Sequence, residues 1–373
     1  MTAAHRAIVR TAGTVALGTR PTAEPGPGEL SLEVVVAGLC GTDIQMLRGL
    51  RDDGAAVIGH EGLARVVAAG PGAPFTPGTP VLVNPTHPAD PSFLLGHNVD
   101  GLLQERVIVP ATAVEGGMVL PLGAPETPED ALTALLEPLA VVHYALEIHR
   151  RFAPATLLVV GDGTVGHLAV RAARHLLGPV RVVHAHHTPA GLAWSRGGTP
   201  AADLTLLAED LGSLPPAGGT VCVLLATPRD ATLPLLERVL GLGEDTLVVD
   251  MVGGLPPGAR TPLLPGVDLA AVRAANCGGI PAVPVVAEAT TPAGSRVVLY
   301  GHRGVANRHL RAAARELTAF PGRYRALLTH ETDLAGAVGV LRALAGSSGR
   351  VIEGRRLVKL AVRIGASETW RNR

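Results

Sequence analysis

Cys40, Thr42 and Asp43 are close neighbours in Gly38-Leu39-Cys40-Gly41-Thr42-Asp43, and His60 and Glu61 follow in Gly59-His60-Glu61. A thiol, an imidazole and carboxylates supplied from a strand end and a later loop are donor types that suit zinc with one open position. A further acid, Glu137, lies in the apolar run Leu136-Glu137-Pro138-Leu139-Ala140, where burial is costly unless the carboxylate is paired or metal-bound. Cys40 and His60 supply S and N ligands, and the third falls to Glu61 or Glu137. Singly, Cys40 reads as a small buried thiol and His60 as a core or surface histidine. Their combination with Asp43 and Glu137 points to a metal.

A second chemical motif follows the apolar strand Thr156-Leu157-Leu158-Val159-Val160. It is Gly161-Asp162-Gly163-Thr164-Val165-Gly166, and a helix-period segment runs on from it to Leu177. Glycines at this spacing allow a tight turn and close approach of a pyrophosphate to the helix N-terminus, so the context predicts dinucleotide binding. The acid that reads the adenosine ribose belongs at the end of the next strand, roughly 20 residues on. Val180 to Thr188 has no acid there and offers His184, His186, His187 and Thr188 instead. A carboxylate would repel a 2′-phosphate. Histidines such as His186 and His187 would not, so the strand end leans toward NADP(H).

The elements that must hold these groups fall into two patterns. From Ala7 to about Pro121 the chain reads as short β segments between Pro- and Gly-rich turns, with strands at Leu30 to Val36, Gly62 to Ala69, Val81 to Asn84 and Arg106 to Pro110. Thr127-Pro128-Glu129-Asp130 marks a helix start by N-cap, first-position proline and acids, and that helix runs toward Arg151. Strands at Thr156 to Val160, Val180 to Val183, Thr220 to Leu225, Thr246 to Asp250 and Arg296 to Tyr300 then alternate with helix-like segments, which implies a parallel sheet covered on both faces. The Pro/Gly-rich stretch Gly253 to Gly294 is longer than a crossover needs. The tail from Leu310 to Ile364 reads as two helices and a final strand that rejoins the first domain.

Composition limits the partners. A chain of 373 residues is long enough for two domains, and its 32 basic and 32 acidic residues leave no net charge to attract nucleic acid or an anionic membrane. Aromatics at 2% leave few platforms on which bases could stack, so the expected partner is a small molecule. Cys40, Cys222 and Cys277 are too scattered for a disulfide framework or a four-thiolate zinc cage, which fits a reducing cytoplasm. The most apolar run, Ala131 to Leu146, is interrupted by Glu137 and His143, so no membrane span is expected.

With Gly-x-Cys-Gly-Thr-Asp at 38–43, Gly-His-Glu at 59–61, Glu-Pro-Leu at 137–139, the glycine fingerprint at 161–166 and Leu327-Leu328-Thr329-His330, the chain resembles the zinc-dependent alcohol and polyol (sorbitol-type) dehydrogenases of the medium-chain dehydrogenase/reductase superfamily. The resemblance implies an α/β protein. A GroES-like β-rich catalytic domain would take residues 1–138 and 303–373, and a Rossmann doubly wound parallel-sheet domain residues 139–302. It also implies Cys40, His60 and Glu137 as zinc ligands, with Glu61 a fourth ligand or directly behind the metal. Thr42 would pass the alcohol proton outward, and Asp43 would orient His60. The implied reaction is hydride transfer between NAD(P) and a polyol-like alcohol or ketone, with zinc as Lewis acid.

Two departures from that family stand out. Gln45 takes the place of a relay histidine, so the proton must leave by water or another route. Pro85 to Gly96 lacks the four cysteines of a structural zinc lobe, so one zinc per chain is expected. Asn276, His302 and Arg303 are candidates for recognising a hydroxyl-rich substrate such as a cyclitol or amino-cyclitol, or else decorate a surface loop. The family implies a homodimer or homotetramer, joined at the sheet edge near Val297 to Tyr300. The rivals are a zinc-free quinone or enoyl reductase of the same fold and a non-catalytic NADP-binding protein.

Overall fold

The structure is a computed structural model and describes residues 3–11, 14–123, 126–198, 201–347 and 349–365. The ends of the expected catalytic domain, residues 1–2 and 366–373, lie outside the described residues. The chain separates into two units, Met1–Glu137 with Leu310–Arg373, and Pro138–His309. The second division falls after His309 rather than after 302. Arg308 and His309, in the first turn of the Asn307–Ala319 helix, pair with Glu147 of the second unit at 3.2 and 3.0 Å.

In the first unit, Leu30–Gly38 is the central strand. Apart from half-buried Glu33 its residues are buried, in keeping with a sequence that alternates through Leu30-Ser31-Leu32-Glu33 and then turns apolar. It pairs antiparallel with Glu61–Ala69 along its length, with Arg106–Val109 over its first residues, and with Lys359–Arg363 over its last. This register sets Gly38 opposite both Glu61 and Ala361, so three distant stretches of chain meet just before Cys40. Leu32, Val34, Ile58, Leu95 and Leu103 form the core with Leu341 and Leu344 of the Leu334–Gly346 helix. The tail holds the two expected helices and the Lys359–Arg363 strand. It also holds an unforeseen strand, Leu328–Asp333, which runs parallel to the last one and whose sequence is too polar to announce itself.

The second unit is a doubly wound sheet. Its strand order is Leu204–Leu207, Arg181–His186, Thr156–Val160, Thr220–Leu225, Thr246–Asp250, Arg296–Tyr300, then Ala287–Thr290. The first six run parallel and the last antiparallel. The order reverses between Thr156–Val160 and Thr220–Leu225, the switch point outside which such sheets bind ligands. Arg296–Tyr300 is paired on both sides, so the sheet edge there is Ala287–Thr290.

The expected helix start at Thr127 is displaced. Thr127 Oγ1 donates to Gly123 O at 2.9 Å, and a 3-10 turn begins at Asp130, continuing into the α-helix Leu136–Arg150. That helix runs through Glu137 and His143 without a break. The 21-residue stretch Asp130–Arg150 is long and apolar enough to cross a membrane, but 78% of its apolar window is buried inside the protein, as in a core helix.

Candidate functional site

The strand register places the metal-capable groups. Cys40 caps the short helix Gly41–Leu47, and His60 and Glu61 stand where the Glu61–Ala69 strand begins. The Cys40 Sγ, a His60 ring nitrogen and a Glu61 carboxylate oxygen all lie within 4.8 Å of one another, the metal-capable group found among the described residues. His60 Nδ1 is buried without a hydrogen-bond partner. A sulfur, a nitrogen and an oxygen donor brought this close together fit zinc. Glu137 is half-buried and not part of this convergent set, so the structure brings together Cys40, His60 and Glu61.

Asp43 ties the two ligand-bearing segments together. Its buried carboxylate accepts from the Cys40 backbone N–H at 2.9 Å and from the Gly59 N–H at 3.2 Å, and Oδ1 stands 3.7 Å from His60 Nδ1. Burial raises its pKa, opposed by His60 and by the two backbone donors. For His60, burial favours the neutral ring, but the charges of Asp43, Cys40 and Glu61 outweigh burial and hold its pKa well above the ordinary value. The groups around His60 thus favour positive charge at its ring. Thr42, half-buried, has its hydroxyl 3.6 Å from the Cys40 thiol, which donates to it.

Lys359 was not anticipated as part of this site. It is the chain's sole lysine, fully buried, and its ammonium donates to Leu39 O at 3.1 Å and pairs with the Glu61 carboxylate. Gly38 makes room for the pair: a Cβ there would stand 2.8 Å from Lys359 Cε, 2.8 Å from Ala134 O and 2.9 Å from Glu61 Oε2. A single lysine in a chain that otherwise uses arginine, set in an apolar strand, was the available signal.

In the second unit the fingerprint has the geometry its glycines require. Gly161 has φ +129°, and a Cβ there would run into the Ala226 carbonyl; a Cβ at Gly166 would strike the Gly161 carbonyl. These close approaches leave the turn shaped as a pyrophosphate cradle, so the residues fit a dinucleotide. The Thr164–Leu177 helix, with Val165 in its first turn, starts after Gly163 with no side-chain cap. His186 is fully buried against His184, with ring centroids 4.0 Å apart, while His187 is exposed.

The proposed substrate contacts at Asn276 and His302 are spent internally. Asn276 donates to Val285 O and Gly301 O and accepts from Val285 N–H, which clamps the loop. His302 is buried 3.5 Å from Asp250. Arg303 alone is exposed.

Residues 26–116 match the alcohol dehydrogenase GroES-like domain. Glucose 1-dehydrogenase of Thermoproteus tenax is 29% identical over 189 residues, covering 44% of this chain and 53% of that protein. The chain spans about half the length of the curated relatives it matches. Among solved structures, a zinc-binding dehydrogenase from Sinorhizobium meliloti 1021 bound to NADP superposes with a TM-score of 0.69 at 20% identity, covering 97% of this chain and 99% of that one. An alcohol dehydrogenase from Escherichia coli CFT073 complexed with NADH gives 0.69 at 17% identity, over 96% and 99%. Residues 26–116 thus belong to the alcohol dehydrogenase GroES-like domain family, and the chain as a whole has the fold of these dehydrogenase structures.

Proposed function

We propose that the protein is a zinc-dependent, NAD(P)-linked oxidoreductase that interconverts a secondary alcohol and a ketone on a sugar-, polyol- or cyclitol-like small molecule. The observation that carries this reading is the convergence of Cys40, His60 and Glu61 on one point of the β-rich unit. A zinc held there supplies Lewis-acid polarisation of the substrate oxygen, and a nicotinamide exchanges the hydride. Asp43 fixes the Cys40 and Gly59 backbones and faces His60. Thr42 Oγ1 passes the alcohol proton outward, giving up its own proton as it accepts that one, and because Gln45 does not titrate, the released proton leaves through water. Lys359 holds the Glu61 carboxylate in place through their ion pair. Glu137 keeps the alternative ligand place given by the resemblance.

The name of the Thermoproteus relative supports a polyhydroxylated substrate, and the two superposed structures, one with NADP and one with NADH, support either nicotinamide cofactor. The acid-free end of the Arg181–His186 strand by itself supports NADP(H). Free Cys40, Cys222 and Cys277 support a reducing, cytoplasmic setting, and the superfamily supports a homodimer or homotetramer.

Metal analysis of freshly purified protein is the test. About one zinc per chain, lost in Cys40→Ala, supports the proposal, followed by a screen of sugars, polyols and cyclitols with both cofactors. Protein free of metal would point to the zinc-free reductase of this fold or to a non-catalytic nucleotide binder. Comparing Glu61→Gln with Glu137→Gln in the same assay identifies the third ligand, which loses zinc when neutralised.

A further inference from the structure

In this fold the 2′ position of the adenosine ribose is read where the strand after the fingerprint ends and its helix begins. The Arg181–His186 strand brings no acid to that place, but the fingerprint turn does. Asp162 aims its carboxylate at the start of the Pro189–Arg196 helix. Thr188 Oγ1 donates to Asp162 Oδ2 at 2.8 Å, and the Thr188 backbone N–H points to the same oxygen at 3.3 Å. Thr188 is the N-cap of that helix and accepts from the Gly191 N–H at 3.0 Å. Carboxylate, hydroxyl and helix start thus form one chain of hydrogen bonds. Gly191 belongs to the fit, because a Cβ there would overlap the Asp162 carboxylate.

A helix N-terminus favours an anion, and here the chain supplies its own. Among the described residues no arginine is bonded to Thr188; Arg171 instead lies over the Trp194 ring of that helix, 5.9 Å from its centroid. Arg196, the one arginine of the Pro189–Arg196 helix, sits in the last turn and donates to Thr205 O at 3.3 Å. The His184 ring lies in the buried cluster and is turned to the Gly161 carbonyl, with Nε2 2.9 Å from its oxygen, and burial with His186 lowers its pKa to about 3. It is neutral at physiological pH.

We propose that Asp162 sets the cofactor choice: it stands in for the missing strand-end acid, accepts from the ribose 2′-hydroxyl and repels a 2′-phosphate, so that the protein selects NAD(H). This rests on the dinucleotide reading given above, and it reverses what the strand end alone implies. A bound 2′-phosphate would bring its negative charge against Asp162 and compete with it for the Thr188 donors.

Isothermal titration of the purified full-length protein with ADP-ribose and 2′-phospho-ADP-ribose tests the proposal without chemistry at the nicotinamide. Wild type should bind ADP-ribose roughly tenfold or more tighter than the phosphorylated ligand. Asp162→Asn keeps an acceptor oxygen but removes the charge, and should narrow that ratio by about tenfold, mainly by tightening the phosphorylated ligand. Gly191→Ala, which pushes the carboxylate aside, should narrow it in the same direction. Equal or tighter wild-type binding of 2′-phospho-ADP-ribose overturns the proposal and needs no variant to be read. An unchanged ratio in Asp162→Asn, with the thermal midpoint of wild type, overturns it as well. If neither ligand binds, the dinucleotide reading falls and takes the proposal with it, an outcome distinct from a reversed ratio.

Discussion

Lys359 and Glu61 form a buried ion pair under the candidate metal cluster, and both are sealed from solvent. Removing one partner of such a pair strands the other charge, whereas neutralising both does not. Lys359→Met is therefore expected to lower unfolding stability by about 3–5 kcal/mol. Adding Glu61→Gln to it should recover part of the loss, as read by urea titration of the two single variants and the double variant. A Lys359→Met that is no less stable than wild type would refute the pairing. Asp43 acts differently, because it touches both ligand-bearing segments through their backbones. Asp43→Ala should weaken zinc binding by about 10- to 100-fold in competition with a chelator while both candidate carboxylate ligands remain.

At the level of elements, the fingerprint turn works because the Thr164–Leu177 helix lies close against the turn at Gly161. Gly166→Ala would drive a methyl into the Gly161 carbonyl. The expected result is a loss of about 1–3 kcal/mol of stability and of dinucleotide binding together, measured by thermal melting and by quenching on titration with NADH. Elements of this kind were legible in the sequence, since Thr156–Val160, Thr220–Leu225, Thr246–Asp250 and Arg296–Tyr300 are unbroken apolar strands whose burial dictates their composition. Among the missed strands, Ala287–Thr290 and Leu328–Asp333 carry mixed polar side chains that mark them little, and Leu204–Leu207 is apolar but only four residues long. Cys40, His60 and Glu61 were legible because three donors stand in two short motifs. Lys359 and Asp162 were not, because their roles arise only from strand register and from the contact between two turns far apart in sequence.

For the whole molecule, the buried histidines whose pKa burial lowers, unlike His60, add a dependence of stability on pH. His149 lies on the Leu136–Arg150 helix, and both its ring nitrogens are buried without a hydrogen-bond partner. Burial lowers its pKa from 6.5 to about 4, with nearby His302 adding to the effect and Asp250 opposing it. His184 is lowered further, to about 3, by burial and by His186. Below pH 6.5 the unfolded chain binds protons at these rings that the folded chain refuses, so folding stability rises with pH through that window and is lost on acidification toward the folded values. Above 6.5 both states hold neutral rings and these groups contribute no slope. Melting temperature is therefore expected to fall between pH 6.5 and pH 4, beyond what carboxylate protonation causes. His149→Leu removes one refused proton and fills the same apolar space, so its melting curve should converge on or exceed that of wild type at pH 5 while remaining near it at pH 8. A His149→Leu protein that loses stability equally at both values would show that the ring is not held neutral by burial.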